Sequence, residues 1–181
     1  MIKCKNIYLR AFEQTDFDKV WKWNNSTSTN YFASSNPYLT ASKEQIIKSI
    51  ITSSQKLFAV CTMDHNLIGQ VSYWTPNKFI PSTVEMGTII GEEDFRNIGY
   101  GIEIFLTVCN IIFNEVRVHR VTMCVSEHNF MSKLPLEKSF IIREGVIRKD
   151  RFIDGKYYDS IVFGLLRDEY YKYRDDFLEL L

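Results

Sequence analysis

Hydrophobic residues recur along the chain with the period of helices in several places. Between residues 98 and 116 the apolar positions follow the 3.6-residue repeat of an α-helix. A second repeat, over residues 46–51, follows Thr40 and Ser42, either of which can cap a helix. Weaker repeats predict a helix after Thr15, one over residues 129–138 that contains Pro135, and a last one over residues 168–181.

Short apolar runs between these helices predict a sheet. They cover residues 7–12, 57–63, 67–74, 83–90, 118–125, 141–152 and 156–166. The dipeptide Asp154-Gly155 is typical of a tight hairpin turn, whereas residues 24–42 carry no charged side chain and predict a loop. Antiparallel neighbours followed by a strand–helix–strand crossover indicate a mixed sheet in a domain of the α/β or α+β class.

Composition narrows the class of protein. The chain has 181 residues, of which 45% are hydrophobic and 24% are charged, so we expect a single globular domain over residues 1–181. Lys and Arg number 22, as do Asp and Glu, whereas domains that bind nucleic acid are usually basic. No apolar run reaches the roughly 18 residues of a membrane span, and the N-terminus has no secretory signal. We therefore expect a cytoplasmic protein with no nucleic-acid or membrane partner.

The spacing of cysteines and histidines predicts no metal site. No pair among Cys4, Cys61, Cys109 and Cys124 has Cys-x-x-Cys spacing, and the three histidines form no ligand motif with them. We expect neither a bound metal nor a disulfide framework. None of the thiols lies in a recognisable activating context, so buried apolar positions are their simplest interpretation.

A glycine-rich segment begins the strongest predicted helix. It reads Arg96-Asn97-Ile98-Gly99-Tyr100-Gly101 and follows a predicted strand. Free N–H groups and the helix dipole favour an anion such as a phosphate there, and Arg96 adds a positive charge. A Walker loop would need a Gly-Lys-Ser/Thr ending and a Rossmann loop a glycine in place of Ile104, so both are excluded. Two interpretations stay open: an acyl-coenzyme A loop of the form Arg/Gln-x-x-Gly-x-Gly/Ala, and a connector without a ligand.

Several short motifs follow one another in a fixed order. They are Tyr8-Leu9-Arg10, Glu85-Met86-Gly87-Thr88-Ile89-Ile90, the glycine loop, Val118-His119-Arg120-Val121, Asn129 with Ser132, Glu137-Lys138-Ser139-Phe140, Glu144-Gly145 and Asp154-Gly155-Lys156-Tyr157-Tyr158-Asp159. In this order and spacing they resemble the GNAT superfamily, closest to its ribosomal-protein N-terminal and spermidine acetyltransferases. The resemblance implies a mixed, mostly antiparallel seven-stranded sheet with splayed central strands, flanked by helices.

The resemblance also implies a reaction and a set of contacts. Acetyl-coenzyme A (acetyl-CoA) would lie between the splayed strands and give its acetyl group to a primary amine. The implied cofactor contacts are Ile89, Ile90, Gly91, Arg96, Asn97, Ile98, Gly99, Tyr100, Gly101, Ile102, Asn129 and Ser132. A strand N–H near Ile89 or Ile90 would stabilise the developing oxyanion.

The nucleophile requires a proton acceptor. At pH 7 about one alkylamine in a thousand is unprotonated, so a base or a proton path to water is needed. Glu85, in a predicted inner strand, is our candidate base. A structural carboxylate satisfied by Arg120 or by backbone donors is an equal alternative.

The chain departs from the family pattern where many relatives have a tyrosine general acid. Leu136 stands there, beside Pro135. Ser132, one helical turn earlier, is one candidate for protonating the leaving thiolate, and unassisted departure is another. We favour an enzyme that acts by direct transfer, because no activated cysteine is visible. The alternative is a catalytically weak acyl-CoA-binding or sensor module.

Residues 24–42 occupy the region where relatives build the acceptor side. They include Tyr31 and Tyr38, our candidate substrate contacts, and no carboxylate that could hold a polycation. We therefore expect a peptide N-terminus or a small amine as acceptor. The apolar residues 177–181 favour packing on the core or on a second subunit, so a homodimer is an open alternative.

Overall fold

Strands and helices follow one another much as the hydrophobic pattern predicts. The computed structural model describes residues 1–33, 38, 40–77, 79, 82–116, 118–137 and 139–179. The strands are β1 (Ile2–Lys3), β2 (Ile7–Arg10), β3 (Lys56–Thr62), β4 (Leu67–Trp74), β5 (Thr83–Ile90), β6 (Arg120–Ser126), β7 (Ile142–Ile153) and β8 (Lys156–Leu166). The helices are α1 (Phe17–Asn24), α2 (Thr27–Ala33), α3 (Lys43–Thr52), α4 (Tyr100–Ile111), α5 (Phe130–Glu137) and α6 (Arg167–Glu179).

Within the described chain, eight strands form one mixed sheet in the order β1-β2-β3-β4-β5-β6-β8-β7. Neighbours are antiparallel except β5 and β6, which run parallel because the helical crossover through α4 connects them. The predicted mixed, mostly antiparallel α/β architecture is confirmed, but the count of seven strands was wrong. The additional strand is β1, whose two residues pair with β2 and are too few to produce a hydrophobic period.

Each face of the sheet has its own core, because side chains alternate along a strand. One cluster contains Leu9, Val71 and Val121 and packs against α4 and α6. The other contains Tyr8 and Ala59 and packs against α1 and α3. Among the described residues the second cluster ends at β4, so it does not cover the same face of β5 and β6.

Helix α2 lies where we predicted a loop. Its sequence, Thr-Ser-Thr-Asn-Tyr-Phe-Ala, has weak helix propensity. Contacts with distant residues compensate, since Arg96 Nη2 donates to Thr29 Oγ1 (3.0 Å) and His128 Nε2 lies 2.6 Å from the carbonyl oxygen of Tyr31. Of the remaining predicted loop, residues 34–37 and 39 lie outside the described residues.

The strongest predicted helix is shorter than its hydrophobic repeat. Helix α4 begins at Tyr100 and gives way to a π-helical turn, Ile112–Val116, instead of continuing as α-helix to residue 116. Glu103 in α4 is buried and accepts hydrogen bonds from the backbone N–H (2.7 Å) and Nδ2 (3.0 Å) of Asn6. The start of α4 is therefore fixed to the β1–β2 turn.

The β7–β8 hairpin turns at Asp154 and Gly155, as predicted, and both residues have positive φ (49° and 76°). Strand β7 also contains a bulge, because Ile147 pairs with Ser160 and Arg151 pairs with Tyr158. Three residues of β7, 148–150, therefore lie opposite a single residue of β8, residue 159. Bulges change the direction of the side chains that follow them.

The capping prediction at Ser42 is confirmed, since its hydroxyl oxygen accepts from the N–H of Gln45 in the first turn of α3. In the part of the chain described here, no helix is long and apolar enough to cross a membrane. The side chains of residues 177–181 lie outside the described set, so the prediction about the C-terminal packing stays open.

Candidate active site

Strands β5 and β6 separate halfway along their length. They pair from Thr83 to Glu85, whereas β5 stays paired with β4 as far as Ile90 and β6 with β8 as far as Ser126. The separation opens a cleft with a volume of about 910 Å³. The splayed central strands expected from the sequence are therefore confirmed.

One end of the cleft is the glycine loop. Asn97 and Gly99 have positive φ (62° and 98°), and a Cβ placed on Gly99 or Gly101 would meet no atom within 4 Å. The N–H groups of residues 97–101 have no backbone acceptor among the described residues, whereas that of Ile102 donates to the carbonyl of Gly99 (3.0 Å). An open cradle of free donors at a helix N-terminus fits a pyrophosphate.

Arg96 fixes this loop in place. Its side chain is 17% exposed, and its Nε donates to the carbonyl of Ile90 (2.9 Å). Its Nη2 donates to the carbonyl of Gly91 and to Thr29 Oγ1, both at 3.0 Å. The guanidinium thus joins the end of β5 to α2, and its positive charge stays beside the loop.

The structure brings most of the predicted cofactor residues into the cleft wall. Those that line it are Ile89, Ile90, Arg96, Asn97, Gly99, Gly101, Ile102, Asn129 and Ser132. Three others do not. Gly91 packs against Trp23, Ile98 is 60% exposed, and Tyr100 stacks on Phe95 with ring centroids 6.1 Å apart.

Residues at the start of α5 hold α2 from the other side of the cleft. Asn129 Nδ2 donates to the carbonyl of Phe32 (3.0 Å), and its Oδ1 accepts from the N–H of Ser132 (3.2 Å). His128 lies between the carbonyl of Tyr31 and the hydroxyl of Ser126, at 2.6 and 2.7 Å. Asn129 therefore lines the cleft with its side-chain amide already engaged, and His128, which also lines the cleft, helps to fix α2.

A polar region lies on the face of the sheet opposite α4, and we call it the acceptor half. It comprises the cleft-lining residues Gln55, Gln70, Ser72, Trp74, Cys124, Ser126 and Arg151. Val71, Tyr73 and Met123 belong to the core under α4, so the alternating partners Gln70, Ser72 and Cys124 project from the other face. The cleft thus reaches both faces of the sheet, with the glycine loop and the acceptor half at different ends.

Gln70 is an unsatisfied polar group in the acceptor half. Its Oε1 is buried and has no hydrogen-bond partner in the described structure. Its residue pairs with Ile89 across β4 and β5. Sequence analysis missed Gln70 and Ser72, although the alternation Gln-Val-Ser-Tyr in β4 could have revealed them as a polar row beside the cleft.

Glu85 lies at the last paired position before the strands separate. It is half-buried on the acceptor face, opposite Trp74, and does not line the cleft. The described residues offer it neither a hydrogen bond nor an ion pair. The expected alternative partner, Arg120, instead donates to Glu144 (2.7 Å), so that pairing was wrong.

The predicted proton donor, Ser132, lies in the cleft wall, whereas the two predicted substrate tyrosines lie outside it. Ser132 and Leu136 both line the cleft, and Ser132 is exposed. Tyr31 contacts the His128 ring and lies outside the cleft lining, as does Tyr38. The Tyr38 hydroxyl donates to Asp154 Oδ1 (2.6 Å) at the hairpin tip, and this bond raises its pKa.

All four cysteine thiols are free, and each has a pKa above the usual value of a thiol. Burial raises the pKa of Cys4, Cys61 and Cys109. Burial also raises the pKa of Cys124, a hydrogen bond to Ser160 lowers it, and the negative charges of Asp150 and Glu85 raise it again. A thiolate nucleophile is therefore disfavoured in the cleft. No cluster of three or more metal-ligating side chains occurs in the described chain.

Comparisons with known proteins agree with this geometry. The model of the acetyltransferase (GNAT) domain matches residues 6–139. Two proteins of Bacillus subtilis are similar: the SPbeta prophage-derived uncharacterized N-acetyltransferase YokL (26% identical, 92% of this chain and 93% of that protein) and the probable N-acetyltransferase YjcK (28%, 93% and 98%). The fold is shared with a spermidine N-acetyltransferase of Vibrio cholerae solved with CoA and spermine (TM-score 0.80, 23% identical, 92% and 98% covered).

Proposed function

The chain belongs to the GNAT family of acetyltransferases, and from that premise we propose how it holds its two substrates. It is an N-acetyltransferase that moves an acetyl group from acetyl-CoA to an amine. Acetyl-CoA supplies the thioester carbonyl that the amine attacks and a thiol leaving group. The observation that carries our proposal is the splayed cleft, with free backbone donors at one end and polar side chains at the other.

We assign the cofactor to the glycine-loop end. The N–H groups of residues 97–101 would hold the pyrophosphate, with the charge of Arg96 beside them. The unpaired edge of β5 around Ile89 and Ile90 would hold the pantetheine arm and the thioester carbonyl. Ile98 and Tyr100 would contribute through their backbone N–H groups alone, because the Ile98 side chain faces solvent and the Tyr100 ring stacks on Phe95, and Gly91 is left out because it packs against Trp23.

The transfer proceeds directly from thioester to amine in this proposal. The raised pKa values of all four thiols support it, since none is prepared to form an acyl-enzyme. Glu85 is the proposed base, acting through water, because it borders the acceptor half and has no other partner among the described residues. Ser132 is the proposed donor to the leaving sulfur, as an exposed hydroxyl in the cleft wall.

The acceptor we propose is a small or peptide primary amine. No Asp or Glu of the described residues lines the cleft, and a polycation would need such countercharge. The Vibrio cholerae protein that shares this fold is named for spermidine, a polyamine, whereas we expect this chain to act on a small or peptide amine. Turnover of spermidine that equals turnover of small monoamines would contradict the proposed acceptor class.

We also propose that residues 1–181 form one domain that works in the cytoplasm. All strands of the described chain belong to one sheet, which supports a single domain. The four cysteines are free, which supports a reducing compartment.

The cofactor assignment is tested by placing a carboxylate in the cradle. Gly101→Glu lies in the first turn of α4, where an acidic residue suits the helix and a Cβ meets no atom within 4 Å. It should weaken acetyl-CoA binding by about 100-fold or more in calorimetry, because the new charge repels the pyrophosphate. Gly145→Glu is the matched control, since its Cβ also meets nothing within 4 Å and it lies outside the cleft lining.

Equal affinity of the two variants would place the cofactor elsewhere. Release of thiol from acetyl-CoA in the presence of amines then separates an enzyme from a binding module. Tight acetyl-CoA binding without amine-dependent release would favour the sensor alternative.

A further inference from the structure

The acceptor half contains one cation with free donors. Among the described residues that line the cleft, the charged ones are Arg96 and Arg151. Arg96 already donates to two backbone carbonyls and to Thr29. Arg151 uses its Nε for Asp150 Oδ2 (3.1 Å), and its two Nη groups have no partner in the described structure. The Nη groups of Arg151 are therefore available to a ligand.

The fold positions Arg151 through its neighbour Asp150, which is bonded to a buried hydroxyl. Ser160 is fully buried, and its hydroxyl donates to the same Asp150 Oδ2 at 2.6 Å. The bulge over residues 148–150 brings Asp150 back to Ser160 and directs the next residue toward the cleft. The side chain of Arg151 is 35% exposed, so it is held at Nε while its end stays accessible. Two parallel N–H groups of one guanidinium match the two oxygens of a carboxylate.

Gln70 supplies the complementary group. Its buried Oε1 requires an N–H donor, and none of the described residues provides one. Gln70 pairs with Ile89, where the reacting carbonyl is proposed to lie, so an amine bonded to Gln70 would be close to that carbonyl. Glu85, the proposed base, lies on the same face of the sheet at the last paired position of β5 and β6.

We propose that the acceptor is a primary amine that carries a carboxylate in the same molecule, as amino acids and short peptides do. Arg151 binds the carboxylate, and Gln70 Oε1 accepts a hydrogen bond from the amine. Transfer forms the N–C bond and breaks the C–S bond, and the ammonium loses two protons, one to the sulfur and one to solvent. This inference rests on the proposed function and names its substrate class.

Matched compounds test the carboxylate directly. Each of the common amino acids is compared with its primary amide by thiol release from acetyl-CoA, with spermidine as the polycation. The amine of the amide is less basic than that of the free acid, so a larger fraction of it is unprotonated near pH 7. Without a contribution from the protein, the amide would therefore be the better acceptor. A preference of about tenfold or more for the free acid in at least one pair is expected, because the amide lacks the charge that Arg151 binds.

Arg151→Gln tests the residue, and Arg148→Gln is its control on the same strand, exposed and outside the cleft lining. Arg151→Gln should raise the KM for the preferred acid about tenfold or more and leave the KM for its amide unchanged. Gln70→Leu should lower kcat/KM for acid and amide alike, because both share the amine. The Kd for acetyl-CoA should stay unchanged in all three variants, which excludes loss of the fold.

The outcomes separate this inference from the proposed function. An enzyme that turns over amides or spermidine as well as acids, or that keeps its KM for the acid in Arg151→Gln, overturns the carboxylate-bearing acceptor and leaves the acetyltransferase intact. Absence of amine-dependent thiol release with every compound overturns both.

Discussion

Glycines of one short region serve two different purposes. A Cβ on Gly91 would lie 2.1 Å from the Trp23 ring, whereas a Cβ on Gly101 would meet nothing within 4 Å. Trp23 is buried, and its Nε1 donates to Glu92 Oε1 (3.1 Å), so the indole cannot move freely. Gly91 therefore makes room for the protein's own side chain, and Gly101 leaves an open surface for a ligand.

Gly91→Ala should destabilise the protein. The added methyl group overlaps the Trp23 ring, and overpacking of this kind costs about 1–3 kcal/mol in the free energy of unfolding. Urea unfolding followed by tryptophan fluorescence measures the change. Gly145→Ala, at an open position, is the control and should match or slightly exceed the wild type. Equal midpoints for the two variants would show that Trp23 yields without cost.

The glycine-loop end of the candidate site was more predictable from sequence than the acceptor half. Gly99 and Gly101 belong to one contiguous motif, and its spacing is local. Gln70 and Arg151 come from strands far apart in sequence, and the direction of Arg151 depends on a bulge that no apolar period reveals. Tyr38 lies outside the cleft lining, and its hydroxyl donates to Asp154 of the hairpin, a contact between positions far apart in sequence that no local pattern reveals.

At the scale of elements, an ion pair joins β2 to α1. Arg10, at the end of β2, donates from Nη1 and Nη2 to the two carboxylate oxygens of Asp16 (2.6 and 2.9 Å). Asp16 is 5% exposed and also accepts from the N–H of Glu13 (2.7 Å). Burial alone would raise the pKa of Asp16, but the hydrogen bonds from Arg10 and Glu13 bring it below its usual value.

This pair makes stability depend on pH in the acid range. Because the folded-state pKa of Asp16 is lowered, its contribution is present above the unfolded value near 4 and is lost as the pH falls through the folded value. Asp16→Asn should cost about 3 kcal/mol in the free energy of unfolding at pH 7, and the difference from wild type should shrink between about pH 5 and pH 2.

Urea unfolding at several pH values measures this dependence. The matched control is Asp18→Asn in the first turn of α1, whose partner is Lys43 and whose side chain is 76% exposed. It should cost less than about 1 kcal/mol. A constant difference between wild type and Asp16→Asn down to pH 2 would contradict the assignment.

Helices and strands were predicted well where the apolar period is long, and poorly where contacts between residues far apart in sequence determine the structure. The α4 helix and the β7–β8 hairpin have strong local signals. Helix α2 has none, since it is a helix of hydroxyl and aromatic residues held by Arg96 and His128. Strand β1 is too short for any period.

For the whole molecule, the cleft replaces the hydrogen bonds that β5 and β6 would otherwise share. Beyond Glu85 and Thr122, β5 stays paired with β4 and β6 stays paired with β8, but β5 and β6 no longer pair with each other. The sheet around this gap holds the unpaired edges of the two strands apart, so we expect the cleft to be preformed. Ligand binding should consequently alter protection from exchange more than it alters the fold.

Hydrogen exchange measured by mass spectrometry tests this expectation. Saturating acetyl-CoA should slow exchange most in peptides that cover residues 86–90 and 97–101, and should slow exchange in the β3 strand (Lys56–Thr62) by no more than the gain in global stability. At about 100 times Kd the free energy of unfolding should rise by about 2.7 kcal/mol, which a higher Tm reports. Protection of residues 86–90 and 97–101 that does not exceed the protection of β3 would contradict this expectation.

Helix α2 contacts both sides of the cleft, through Arg96 on the side of β5 and through His128 and Asn129 on the side of β6. Ser28, Thr29 and Phe32 of α2 line the cleft, so we expect a ligand that enters or leaves between the splayed strands to pass this helix, which polar bonds fix at both sides. The height of that barrier acts on arrival and departure alike, so weakening the bonds of α2 would speed both and leave the equilibrium affinity nearly constant. We therefore expect the residence time of a ligand, and with it the pace of product release, to depend on the seven residues of α2, which have weak helix propensity.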